Sequence, residues 1–238
     1  FSSMNNTLLE KINSFLIDGY SLIEGSEHSY RLTHPNKYKK EQVYMDALKD
    51  LGLWGKLSNK KFIPEIYKEA SAQDRLELLR GLMDTDGYAG KSGTVAYYTV
   101  SEQLAKDAQY IIRSLGGICK INKKTRRSIK LPQGKVSSKN CTLYTCLIRH
   151  DYPEDFFTLP YKIEHAKKRD KDIIRKLKIV SIEPIGECEV RCILIDSPEH
   201  LYITDDFVVT HNTFPQEWWQ EIVDILSKDT PVCLIGTD

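Results

Sequence analysis

Hydrophobic positions in this chain follow two periods, one helical and one extended. Leu8, Leu9, Ile12, Phe15 and Leu16 recur at helical spacing after a polar Asn5-Asn6-Thr7 start, and Val43, Tyr44, Ala47, Leu48 and Leu51 do so up to Gly52. Residues spaced in this way share one face, so amphipathic helices are expected within residues 1–19 and over 41–53. A turn-rich link over 55–61 leads to Phe62-Ile63-Pro64, whose proline suits the first turn of a helix reaching Ala70. Ser71, with Asp74 three residues on, resembles a capping box and opens the next helix. Glu102 to Leu115 reads as helical and is closed by Gly116-Gly117. Residues 94–100, 118–122 and 142–148 are β-rich, and 20–32 alternate weakly enough for one or two strands. Strands mixed with helices in this way predict an α+β fold.

One helix carries a conflict. Leu78-Leu79-Arg80-Gly81-Leu82-Met83 runs without interruption into Asp84-Thr85-Asp86-Gly87. Leu78, Leu79 and Leu82 supply an apolar face, and Gly81 leaves it thin, at a cost of roughly 1 kcal/mol relative to alanine. Close approach of a second backbone is the natural compensation. Acidic residues at a helix C-terminus oppose the macrodipole, so Asp84 and Asp86 cost stability unless a cation answers them. Gly87 is expected to end the helix with a positive φ. Two readings stand on the pattern alone: a helix end followed by an Asp-Gly turn, or a functional site.

Composition narrows the class. The 238 residues are 41% hydrophobic and 28% charged, which is globular, and leave room for one large or two ordinary domains. No apolar run reaches the roughly 20 residues of a bilayer span, and no export signal opens the chain, so a soluble cytoplasmic protein without a membrane partner is expected. Cys119, Cys141, Cys146, Cys188, Cys192 and Cys233 form no CxxC pair and no disulfide scaffold, which fits a reducing compartment. The net charge of +1 says nothing about nucleic acid, but its distribution does. Lys120, Lys123, Lys124, Arg126, Arg127, Lys130, Lys135 and Lys139 fall in one segment that contains no acid. Such a run is either a solvated loop or a phosphate-binding one between two strands.

Residues 99–108 align with residues 3–12, polar with polar and apolar with apolar at most positions. An internal duplication would make the first copy begin mid-module, with its own acidic motif about ten residues before Phe1.

The stretch Leu79 to Gly87 resembles the LAGLIDADG (DOD-type) motif of homing endonucleases, with Arg80 and Met83 as departures. The resemblance implies an αββαββα-like half in which two such helices pack through their small residues. It also implies that Asp86 is a half-site ligand for Mg²⁺ at the scissile phosphate of double-stranded DNA. Carboxylate oxygens suit that ion, which keeps several waters and takes one or two carboxylates. Lys162, in Leu159-Pro160-Tyr161-Lys162, stands where relatives carry a lysine near the cleavage centre; an ordinary surface lysine is the alternative. Beside this motif, Lys120, Lys123, Lys124, Arg126, Arg127 and Lys130 become candidate DNA contacts.

A second signature closes the chain. Short strands are expected at 190–195, 200–203 and 207–210, punctuated by Ser-Pro and Asp-Asp turns, and they end in Thr210-His211-Asn212-Thr213. This resembles the C-terminal splicing blocks of an intein, the splicing part of a Hint-type domain. The resemblance implies that the Asn212 side-chain amide attacks its own main-chain carbonyl, forming a succinimide and releasing Thr213. His211 would serve the scissile carbonyl and leaving amine, His200 would assist Asn212, and the Thr213 hydroxyl would accept the upstream segment as an ester. Splicing needs no cofactor. Cys192 stands where the family usually has aspartate; it is either an internal nucleophile or a buried structural cysteine.

The expected organisation is therefore an endonuclease domain over 1–175, with a truncated first half and a complete second half. A splicing segment over 176–212 and the start of an α/β host protein, the C-extein, over 213–238 follow. Its partners would be double-stranded DNA and its own upstream intein half and exteins, and the fragment alone is expected to be inactive. A splicing element with a silent endonuclease, or a free-standing DNA-binding regulator, remains open at this point.

Overall fold

The computed structural model describes residues 5–17, 19–26, 28–36, 42–126, 129–130, 136–137, 141–168, 183–184, 186–187, 189, 195–196, 198–199 and 201–211. The chain divides into two compact units, 1–173 and 174–238.

The first unit opens with helix α1 (Asn6–Ser14), the antiparallel pair β1 (Ser21–Glu24) and β2 (Tyr30–Thr33), and helix α2 (Gln42–Asp50). Asn5 caps α1 by accepting from the Leu8 amide at 3.0 Å, as its polar start suggests. The expected helix up to Ala70 shortens to α3 (Glu65–Lys68), with Pro64 preceding its first residue. Side chains of the following module dock this link. The Ile63 amide donates to Asp107 Oδ2 at 2.8 Å, and Ser101 Oγ donates to the Lys61 carbonyl at 2.6 Å.

Helix α4 (Ala72–Asp86) begins at the expected cap: Ser71 Oγ accepts from the Asp74 amide at 3.2 Å and donates to Asp74 Oδ2 at 2.6 Å. It runs straight into β3 (Gly87–Ala89), which pairs with β4 (Val95–Thr99). Helix α5 (Glu102–Ser114) follows, then the long antiparallel pair β5 (Ile118–Arg126) and β8 (Cys141–Arg149). Between them lie the two-residue strands β6 (Ile129–Lys130) and β7 (Val136–Ser137), paired with each other. A 3-10 turn, Pro153–Phe156, and helix α6 (Pro160–Ala166) complete the described part of the unit. The sheet order is β3-β4-β8-β5, all antiparallel. Helices and an antiparallel sheet make the α+β fold expected.

Alternation along these strands explains the core. Val95 and Tyr97, Cys119, and Tyr144, Cys146 and Ile148 are buried on one sheet face with Leu104, Ala105, Ala108, Ile111 and Ile112 of α5. Helix α4 adds Leu79 and Met83, one turn apart and both fully buried. The apolar face expected for α4 is unevenly covered. Leu79 and Met83 are fully buried in the core, whereas Leu78 and Leu82 pack against it only in part and border exposed Gly81 and Thr85. Met83 departs from the motif to fill the core. Arg80 departs as a strut, its Nε donating to the Asp155 carbonyl at 2.6 Å.

Two further expectations are corrected. Gly87 has φ −85° and ψ 153°, so no positive φ ends α4. Glycine is required there by crowding: a Cβ would stand 2.3 Å from the Met83 carbonyl oxygen. The strand expected at 118–122 runs further into the basic segment, because pairing with β8 continues to Arg126 opposite Cys141, so Lys123 and Lys124 are strand residues as Lys120 is.

In the second unit, β9 (Leu201–Ile203) and β10 (Val209–His211) form an antiparallel hairpin. The expected Asp-Asp turn joins them, with φ 61° at Asp206 and 59° at Phe207, and the Thr204 amide donates to the Val208 carbonyl at 2.8 Å.

Candidate functional site

The last turn of α4 holds two carboxylates with opposite fates. Asp84 is buried, and each of its oxygens has partners. Oδ1 accepts from the Thr158 amide at 2.9 Å and the Leu159 amide at 3.3 Å, and Oδ2 accepts from the Thr158 hydroxyl. Lys11 of α1 donates to Thr158 Oγ1 at 2.7 Å and lies 3.9 Å from Asp84 Oδ2. Asp84 thereby ties α4 to the start of α6 and to α1. Asp86, two residues on, is exposed.

The cation that the macrodipole argument demands is Lys162. Its side chain is buried at the end of α4, and Nζ donates to the carbonyls of Met83 at 2.8 Å, Asp84 at 2.9 Å and Gly87 at 2.8 Å. An ammonium has three N–H donors, so all are engaged. Burial lowers the Lys162 pKa, and the negative charges of Asp84 and Asp86 act against that shift. The structure thus makes Lys162 the terminal cap of α4 and corrects the alternative of an ordinary surface lysine. A phosphate contact would require it to give up a carbonyl.

Asp86 also acts on the core, since burial and then its charge raise the pKa of the Tyr97 phenol. For a divalent cation, the donor chemistry fits one carboxylate of a shared site. Asp86 is an exposed hard-oxygen donor, and Asp84 is committed elsewhere. Among the described residues no group of three or more His, Cys, Asp or Glu side chains could hold a metal, so further ligands must come from waters, a phosphate or another segment.

Beside Asp86 spreads the open face of the sheet. Register sets Tyr88, Ala96, Leu147 and Lys120 in one row across the four strands, and Tyr98, Thr145 and Asn122 in the next. Lys120, Asn122 and Lys124 are exposed on the outer strand β5. Lys123 is on the other side of that strand, with Nζ 5.7 Å from the Tyr144 ring centroid. Of the candidate DNA contacts, Lys120 and Lys124 therefore share the open face and Lys123 does not. Arg126 and Lys130 belong to β5 and β6 by their backbone, and Arg127 lies outside the described residues. Tyr88, Tyr98 and Asn122 were missed as candidates; the alternation of β4 and β5 is the signal for Tyr98 and Asn122, and pairing opposite Ala96 places Tyr88 on the same face.

In the second unit, His211 ends β10 opposite Leu201. Cys192, His200, Asn212 and Thr213 lie outside the described residues, as do residues 190–194 of the strand expected at 190–195 and the segment 213–238. Among the described residues no helix is long and apolar enough to cross a membrane. Cys119 and Cys146 are free thiols, both buried.

Comparison with known proteins agrees with the geometry of α4. Over 163 residues, 67% of its length, the chain is 32% identical to the replicative DNA helicase DnaB of Mycobacterium intracellulare. Over 101 residues it is 37% identical to the replicative DNA helicase DnaB of Synechocystis sp.. It spans only 27% and 11% of those two proteins. Residues 73–147, from α4 through most of β8, match the LAGLIDADG-like domain, which supports a homing endonuclease domain in this chain.

Proposed function

We propose that this chain is the C-terminal part of an intein-bearing precursor. Residues 1–175 belong to a homing endonuclease with a truncated first half and a complete second one, 176–212 to the splicing segment and 213–238 to the C-extein. The observation that carries the endonuclease reading is Asp86, exposed at a helix end that Asp84 and Lys162 hold rigidly, beside a sheet face with a basic outer strand. The helix–strand–strand–helix order of α1-β1-β2-α2 recurs in α4-β3-β4-α5 and, with the two-residue strands β6 and β7 inserted, in α5-β5-β8-α6, which supports a repeated module. Similarity confined to a minor part of each helicase relative is what an inserted element produces.

In this reading the sheet face lies along duplex DNA, and Asp86 would be a ligand of Mg²⁺. The bound ion would supply charge stabilisation at the phosphoryl oxygens. Asp84, Thr158 and Lys162 act by fixing the direction of the α4 terminus, on which the placement of Asp86 depends. The half-buried face of Leu78, Gly81, Leu82 and Thr85 receives the corresponding helix of the first half. Apart from the adjoining backbone of α4 itself, nothing among the described residues lies within 4 Å of where a Gly81 Cβ would be.

At the other end, Asn212 cyclises through its side-chain amide and cleaves the bond to Thr213, with His211 and His200 assisting. Thr213 accepts the upstream segment as an ester. Cys192 is assigned as an internal nucleophile. The tests use the full open reading frame. Splicing should cease with Asn212→Ala, and Cys192→Ser should remove a branched ester intermediate. Asp86→Asn should abolish duplex cleavage without affecting splicing. Splicing that persists in Asn212→Ala refutes the autocatalytic assignment; undiminished cleavage in Asp86→Asn refutes the metal-ligand one.

A further inference from the structure

The open sheet face is chemically graded from its inner to its outer edge. The edge that continues from Asp86 presents Tyr88, 49% exposed, and Tyr98, 38% exposed, followed across the sheet by Leu147, 37% exposed. The two rings hold each other at 6.4 Å between centroids, tilted by 67°. Ala96 fills the position between Tyr88 and Leu147 in the row, so this inner zone carries no charge. Cations of the same face stand at its margins: Lys120 and Lys124 on β5, and Arg149 one row beyond Leu147, away from the Tyr98 row.

A solvated sheet face is ordinarily polar, and exposed apolar groups placed together mark a contact surface. The flanking lysines and the neighbouring carboxylate specify its occupant as a polyanion approached with a metal. Apolar side chains cannot satisfy the acceptors and donors of a base edge, and covering guanine N7 and O6 with Leu147 would leave buried acceptors unpaired. The one apolar group in the major groove is the thymine C5-methyl. Building on the endonuclease reading above, we propose that Tyr88, Tyr98 and Leu147 form a thymine-methyl-reading zone for the base pairs next to the cleavage point. Asn122, Lys120 and Lys124 take hydrogen-bonded bases and phosphates further out.

The test takes the full-length protein that carries this chain and a randomised duplex library, in EDTA so that no bond is cut. Selected duplexes should be rich in A·T pairs at the inner positions of this half-site. Deoxyuridine in place of thymine there deletes only the methyl and should weaken binding roughly fourfold for each methyl removed. The same replacement at outer positions should leave affinity unchanged. Leu147→Ala and Tyr98→Ala should erase the thymine–uracil difference, and Tyr98→Phe should retain it. Equal affinity for thymine and uracil duplexes at a site the protein still selects overturns the methyl reading and leaves DNA recognition standing. A uniform loss of both duplexes with Tyr98→Phe assigns the hydroxyl to a phosphate and overturns it as well. Failure to select any duplex overturns both this inference and the endonuclease reading.

Discussion

Asp84 and Asp86 are separated by one residue, yet Asp84 is buried among hydrogen-bond donors and Asp86 stands exposed at the edge of the sheet. A helical step of two residues turns the side chains by about 200°, which carries one carboxylate inward and the other outward. The inner one is structural and the outer one is left available for a ligand.

Asp84→Asn and Asp86→Asn should therefore separate stability from activity. An asparagine at 84 presents an NH₂ group to donors that need acceptors, and should cost about 1–3 kcal/mol in urea unfolding. Asp86→Asn should lie within about 0.5 kcal/mol of wild type, as a surface change does, while removing cleavage. An unstable Asp86→Asn protein would contradict this division.

Replacing Lys162 with methionine leaves the Met83, Asp84 and Gly87 carbonyls without their shared donor. A loss of about 2–4 kcal/mol is expected, from charged hydrogen bonds that are each strong and left unmade. Arginine should not rescue it, because a planar fork does not reproduce the three directions of an ammonium. Thermal unfolding of the three proteins measures this, and an undestabilised methionine variant would refute the capping role.

Gly81→Ala should act with opposite signs in two contexts. In the present chain the added methyl meets nothing among the described residues, and helix propensity should raise stability by about 1 kcal/mol. In the full-length protein, where the proposed partner helix approaches, the same methyl should lower cleavage. Loss of stability in the isolated chain would show that the face is already covered.

Gly87→Ala tests crowding against conformation. Its φ of −85° suits any residue, so the expected cost of about 1–3 kcal/mol comes only from contact with the Met83 carbonyl, as in overpacking. Chemical denaturation would reveal it, and a neutral substitution would remove the steric reason for glycine.

Much of the secondary structure was legible locally. Asn5 and Ser71 cap the helices they precede, and the helix expected over 102–115 becomes α5 almost residue for residue. Helix ends and alternation depend on neighbours within a turn or two, which is the range sequence patterns cover. The failures were of longer range. The basic segment after Asn122 looked like a loop because lysines are weak strand formers, but the β8 ladder overrides that preference as far as Arg126.

The candidate site divides in the same way. Sequence alone determined that Leu78 to Asp86 is helical and ends in two carboxylates before Gly87, and that an acidic helix end requires a cation. It did not identify the cation, which comes from Lys162, or the Thr158 and Lys11 groups around Asp84. Nor did it distinguish which aspartate is buried. Only the tertiary structure decided these, because the donors are brought to α4 by chain segments more than 70 residues away, and burial is a property of what packs there.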